Sequence, residues 1–343
     1  MRARLRNVLV VGLAIALLVW FLRHANLASV WHELQQGRLD YLLLALVATG
    51  TTYLIRAFRW QYLLLPLGRP SFMACLKATV IGFAASTVLP ARAGEVLRPY
   101  LLARREGFNP TAAFASIVIE RLLDMLTVLV LFATFVVFFS ADQRSTDPAV
   151  YAALKLGGLT VGGISVAGLI LMMVLAPHPE LLAGWALQIE RILPDRLART
   201  VANLVKGFIE GLAVVRQPSR MAVAVLLSFP LWLSIGMGIW ATSQAFHIDM
   251  SFTGTFLMTA ILVVGVAVPT PGAIGGFHEA YRIGATMFFG ASNDRAIGAA
   301  IVLHAMSFVP VTIAGAILMA KEGLSFSGAS GMASRHDAGE TTT

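Results

Sequence analysis

Charge is scarce in this chain and cysteine scarcer. Of its 343 residues only 13% are Asp, Glu, Lys or Arg, roughly half the share of a soluble protein. With 57% hydrophobic residues and a mean hydropathy of +0.77, no stretch suggests a sizeable soluble domain. Cys75 stands alone, which excludes an intramolecular disulfide and any multi-cysteine metal site. There is no P-loop, no Gly-x-Ser-x-Gly and no paired-Asp motif for a metal-bound nucleotide sugar. His278-Glu279 lacks the second histidine of His-Glu-x-x-His, because position 282 is Arg. No metal or cofactor is therefore expected. No Ala-x-Ala-like site follows the apolar run 8–22, so Arg2, Arg4 and Arg6 precede an uncleaved first helix rather than a signal peptide. The net charge of +8 does not imply nucleic acid. Most basic residues sit in short loops beside apolar segments, where they orient a membrane protein and attract anionic lipid.

What is abundant is apolar sequence of membrane-crossing length. Eight segments stand out: 8–22, 41–58, 72–103 (broken at Pro90), 112–139, 151–176, 221–246, 252–290 (broken at 269–276) and 296–320. The expected fold is an all-α polytopic membrane protein of about six spanning helices plus two broken, re-entrant hairpins. Residues 1–322 form the membrane domain, and the Gly/Ser/Thr-rich stretch 323–343 reads as a disordered tail. Loops 1–7, 56–71 and 91–111 carry net positive charge and are placed on the cytoplasmic side, with 177–220. Residues 23–40 balance their charges. Within 180–216 the sequence is amphipathic and suits the interface. Two cytoplasmic loops in succession flank 72–90, so that segment enters and returns on one side. This parity leaves both termini cytoplasmic in the cell (inner) membrane.

Three stretches carry polar chemistry at depth. Residues 86–98 place Arg92, Gly94, Glu95 and Arg98 just after a proline that breaks the helix, and Gly94 is free to take backbone conformations closed to other residues. Within 112–139, Glu120, Arg121 and Asp124 interrupt an apolar helix. Glu120 and Asp124 share a face, roughly 12 and 18 Å from the segment's start by helical rise, and such like charges repel. Arg92, Arg98 or Lys77 is the cation expected between them. The second break, 266–282, contains Pro271, Gly272, Gly275 and Gly276, then Glu279 and Arg282. Non-helical backbone at that depth survives only inside protein or beside water. Arg56 and Arg59 read as snorkelling interfacial anchors, with phosphate contact as the alternative role, and His304 as an isolated buried histidine. The two broken segments suggest an inverted repeat, 41–58 to 112–139 against 221–246 to 296–320, with the site between the breaks.

Four stretches in order carry a family resemblance: Arg56-Ala-Phe-Arg59-Trp60; Leu89-Pro-Ala-Arg92-Ala-Gly94-Glu95-Val-Leu-Arg98; Glu120-Arg121-Leu-Leu-Asp124; and Pro269-Thr-Pro271-Gly272-Ala-Ile-Gly275-Gly276-Phe-His-Glu279. Over about residues 5–322 the chain resembles the flippase-like transmembrane domain named after lysylphosphatidylglycerol synthase. Ala273 stands where the commoner form of the motif has glycine. The resemblance implies moving a phospholipid or lipid-linked sugar between leaflets, without the soluble aminoacyl-transferase domain of larger members. Arg92, Arg98 and Arg121 would then attract a phosphate headgroup. Glu95, Glu120, Asp124 and Glu279 would balance them, and one carboxylate could carry a coupling proton. Helix ends near Gly94 and at Pro271, Gly272, Gly275 and Gly276 would offer amides to an anion. Two other readings stand beside this one: an enzyme acting on a lipid headgroup with Glu95 or Glu120 as general base, and a non-catalytic partner of a lipid glycosyl- or aminoacyl-transferase. If 72–103 is a hairpin, cysteines replacing Arg69 and Arg105 will be labelled from the same cytoplasmic face; labelling from opposite faces would reject it.

Overall fold

The computed structural model describes residues 27–89, 93–138, 217–268 and 270–322, with scattered positions between 152 and 207. The expected first helix 8–22, the residues Pro90–Arg92, almost all of 151–216 and the tail lie outside the described residues. Those described form helices joined by short turns: α1 (Leu27–Gln35), α2 (Leu39–Leu64), α3 (Phe72–Val88), α4 (Gly94–Glu106), α5 (Pro110–Phe138), α6 (Pro218–Ala245), α7 (Gly254–Ala267), α8 (Gly276–Phe289) and α9 (Asn293–Lys321). The chain is an all-α polytopic membrane protein. α2, α5, α6 and α9 are long and apolar enough to span, while α3 and α7 are shorter apolar helices. α1 lies in 23–40, where balanced charges had suggested only a loop.

Local chemistry sets the helix ends. Ser71 Oγ accepts from the Ala74 amide at the start of α3 (3.1 Å), and Asn109 Oδ1 accepts from the Thr111 amide at the start of α5 (3.0 Å). Gly107 (φ +73°) and Gly290 (φ +61°) end α4 and α8 in the left-handed region. α6 and α9 run on through Pro230 and Pro310.

The helices form two units of opposite direction. α2 and α6 are antiparallel: the Arg38 amide, just before α2, donates to Ala245 O at the end of α6, and midway Thr52 and Ser234 share a hydroxyl hydrogen bond of 2.7 Å. α3 and α4 return to the end where α2 finishes, because Phe108 lies against Gly68. α7 and α8 return to the opposite end, where Phe289 lies against Gly254. α9 starts at that opposite end, with Arg295 on Glu33 of α1 (3.3 Å), and finishes beside α4, with Glu322 on Arg105 (3.2 Å). Packing obeys the exchange of units: α3 on α9 is matched by α7 on α5, and α4 on α5 by α8 on α9. Hence 72–106 and 254–289 are both re-entrant, entering from opposite ends.

One glycine pair closes each hairpin. A Cβ on Gly94 would fall 1.8 Å from Gly82 O, and one on Gly276 would fall 2.3 Å from Gly265 O. Gly94 has no positive φ; its value is close approach between the arms rather than the special backbone its sequence context suggested. Gly94→Ala and Gly276→Ala are each expected to cost at least ~1–3 kcal/mol through overpacking. Gly50→Ala, with nothing within 4 Å, should be neutral or slightly stabilising. Thermal unfolding of detergent-purified variants checks the contrast; equal melting temperatures for all three would reject it.

Candidate functional site

Helical spacing carries Arg56 and Arg59 to the same side of α2, and there they meet the face of α5 that bears Glu120 and Asp124. Arg59 Nη2 lies 2.7 Å from Asp124 Oδ1, and Arg56 Nη1 lies 3.4 Å from Glu120 Oε1 and 3.3 Å from Asp124 Oδ2. From α4, Arg98 donates to Glu120 Oε1 at 2.9 Å and Oε2 at 3.3 Å. Arg121 reaches back to Glu120 at 2.8 Å and to Asp124 at 3.5 Å. α6 completes the shell: Trp232 Nε1 donates to Asp124 (3.1 Å) and Ser228 Oγ accepts from Arg59 (2.7 Å). The Arg98 guanidinium also lies 3.9 Å over the Trp60 ring, whose Nε1 donates to Ser116.

This corrects the reading of Arg56 and Arg59 as snorkelling anchors. They are 6% and 0% exposed, because α5 supplies two buried carboxylates that lipid could not. Among the described residues the cations that engage Glu120 and Asp124 are Arg56, Arg59, Arg98 and Arg121, and Lys77 forms no ion pair with either. The clue available in sequence was the count of charges at depth, since two carboxylates sharing one face needed more than one arginine.

Beside the cluster lies a cavity of about 170 Å³ whose wall comes from both hairpins: Ser86 of α3, Glu95 and Arg98 of α4, Arg121 of α5, Gly272 of the turn before α8, and Phe308 of α9. Arg121 is the cluster arginine open to it, at 32% side-chain exposure against 7% or less for Arg56, Arg59 and Arg98. The Nε–H groups of Arg98 and Arg121 have no acceptor among the described residues. Glu120 and Asp124 sit behind the wall, engaged by arginine.

The second tip is a tight turn, Pro271–Ala273, with positive φ at Gly272 (59°), Ala273 (56°) and Gly275 (89°). It packs against α3, where Gly272 faces Thr87. Glu279 does not join the cluster: it pairs with Arg282 on its own helix at 2.5 Å, and Arg282 also reaches Asn293 (3.0 Å). Nor is His304 isolated. Its ring lies 4.5 Å from that of His278, and its Nε2 lies 2.7 Å from Gly272 O. Thus Gly94, Glu95, Arg98, Glu120, Arg121, Asp124 and Gly272 converge, Pro271, Gly275 and Gly276 build the opposing tip, and Arg92 lies outside the described residues.

A family model, the lysylphosphatidylglycerol synthase TM region, matches residues 7–315. The chain belongs to that family. It is also similar to the glycosyltransferase AglD of Haloferax volcanii, 23% identical over 337 residues, covering 91% of this chain and 53% of that protein. The chain thus spans about half the length of this curated relative.

Removing one carboxylate should expose the cluster's interdependence. Asp124→Asn is expected to cost ~3–5 kcal/mol, since it strands buried arginines without a counter-charge. Adding Arg59→Gln should restore part of that loss in a double-mutant cycle of thermal stability. Strict additivity of the two losses would show that the pair is not coupled.

Proposed function

We propose that this membrane protein is a lipid translocase that carries an anionic phospholipid or lipid-linked sugar between leaflets. The observation that supports it best is the surplus of positive charge opening on a cavity where two oppositely directed hairpins meet. Among the described residues, four arginines (56, 59, 98 and 121) face three carboxylates (Glu95, Glu120 and Asp124) around that site, a surplus of one positive charge. A buried uncompensated cation is costly, and a phosphodiester carries the one negative charge that offsets it. Arg121 would meet the phosphate first, through its cavity-facing guanidinium, while the acyl chains remain in the bilayer. Oppositely oriented units around a mid-membrane site suit alternating access, in which one hairpin moves against the other. By the positive-inside rule the end carrying Arg69, Arg104 and Arg105 faces the cytoplasm, and both termini lie there.

The AglD likeness favours a second reading, in which the chain handles a lipid-linked sugar for a transferase that acts with it. Headgroup catalysis is the least supported, since Glu120 is already occupied by arginines and Glu95 is the one carboxylate among the described residues that lines the cavity.

Purified protein in vesicles carrying a labelled phosphatidylglycerol on one leaflet tests the proposal. Wild type should exchange the label without altering it, and Arg121→Gln should slow exchange by about tenfold or more, the loss of one charge-assisted hydrogen bond. Arg282→Gln, away from the cavity, should not. Undiminished exchange by Arg121→Gln refutes the assignment. A chemically changed headgroup would favour catalysis, and activity appearing only with a transferase would favour the second reading.

A further inference from the structure

The histidine pair behind the second hairpin tip is not used by the cluster. Its hydrogen bonds settle its tautomers. The Gly275 amide donates to His278 Nδ1 (3.3 Å), so that nitrogen holds a lone pair and His278 is neutral with its proton on Nε2. Gly272 O can only accept, so His304 Nε2 carries the proton across the 2.7 Å contact. In the neutral ring this leaves His304 Nδ1 as a lone pair, and no described residue bonds to it. His304 is half-buried, whereas His278 is 6% exposed. The His304 ring stacks on Phe308 at 4.5 Å. Phe308 and Gly272 both line the arginine cavity, so His304 touches that wall at two points.

We propose that His304 is a proton-binding site, and that its proton and an anionic headgroup in the adjacent cavity bind cooperatively. This rests on the anion-site reading given above. Protonation adds an N–H bond at Nδ1, with the proton taken from hydronium to leave water. It leaves the Nε2–H bond to Gly272 O in place and makes it charge-assisted, hence stronger. The strengthened bond holds a tip whose backbone is left-handed at Gly272, Ala273 and Gly275. The imidazolium also sets a second positive charge behind the wall that faces Arg98 and Arg121. An anion between them stabilises the protonated ring, and by linkage the protonated ring tightens the anion. His278 cannot take the same proton without breaking its bond from the Gly275 amide at the positive end of α8.

Other ionisable groups around the pair are few. α7 and the turn carry none, and α3 carries Cys75 and Lys77. On α8, Glu279 and Arg282 are paired with each other, and Tyr281 is bonded to Ser243 (2.8 Å). α2 brings Tyr53, whose hydroxyl donates to Ser307 O (3.3 Å), while its Arg56 and Arg59 are held in the cluster. Arg220 of α6 and Glu33 of α1, the latter paired with Arg295, belong to the helix ends. Across the cavity stand Glu95, Arg98 and Arg121.

The test uses full-length protein in nanodiscs with ¹⁵N-histidine labelling and short-chain phosphatidylglycerol, whose phosphodiester charge is constant between about pH 5 and 8, the range in which histidine titrates. At about pH 6, adding the lipid should convert the His304 signals to the imidazolium pattern while His278 stays neutral. Lipid affinity should rise about tenfold from pH 8 to pH 5 in wild type. His304→Gln, which can still donate to Gly272 but cannot be protonated, should bind with the wild-type pH 8 affinity throughout. Lipid binding with an unchanged His304, or full pH dependence in His304→Gln, overturns the proposal. So does a His304 that stays neutral down to pH 5 with lipid present. If no lipid binds at any pH while His304 titrates by itself, the anion-site reading fails and the coupling falls with it.

Discussion

Everything at the centre of this molecule depends on keeping four guanidiniums and two carboxylates out of lipid. A lone charge in hydrocarbon costs on the order of 3 kcal/mol on lenient scales, so none of these groups has a tolerable place away from the others. α2, α4, α5 and α6 each contribute a charged or hydrogen-bonding member. The cluster therefore does what a dry apolar seam does poorly between helices in a bilayer, where lipid tails are as apolar as leucine. It specifies which helices meet and at what height. Among the described residues four arginines share these two carboxylates, so each carboxylate answers to more than one helix.

Opposed to this charged cluster stands the turn of the second hairpin, 268–275, whose sequence has no ionisable residue. The second hairpin closes its tip with two imidazoles and a carbonyl, where the first tip is followed directly by Arg98 against Glu120. The arms are otherwise built alike. Gly82, Gly94 and Gly107 in the first hairpin correspond to Gly265, Gly276 and Gly290 in the second, so arm-to-arm contact and helix termination use the same device twice. A shared scaffold thus carries unlike chemistry at its two tips.

Much of this was legible in the residues. Pro90 and the Pro269–Gly276 stretch announced two helix breaks, and loop charges on both sides of 72–90 announced a return to the same side. Glu120 and Asp124 announced a cluster, because like charges on one face demand cations. What escaped was distance across the fold. Arg56 and Arg59 sit at a helix end, where lipid would let them snorkel, and nothing local shows that α5 will bury them. Glu279 looked like a fourth carboxylate for the site, yet Arg282, three residues on, satisfies it within its own helix. His304 looked solitary because its partner is 26 residues upstream. The glycine correspondence was present too, since twenty-five residues separate both Gly82 from Gly107 and Gly265 from Gly290; it is invisible to a search for overall identity.

The prolines inside α6 and α9 give the two units unlike mechanical character. Each proline removes one rung from the helix's hydrogen-bond ladder and crowds the carbonyl four residues back. α2 and α5, their counterparts by unit exchange, carry no proline past the first turn and are cross-braced by ion pairs. Among the four spanning helices compliance is thus concentrated in α6 and α9, while α2 and α5 act as the stiff frame and the first unit's internal proline, Pro99, falls on the shorter α4. A bend at Pro310 would lie six residues beyond His304, on the helix that holds the second tip. In a molecule whose two units pack alike, this decides which half serves as anvil and which as spring.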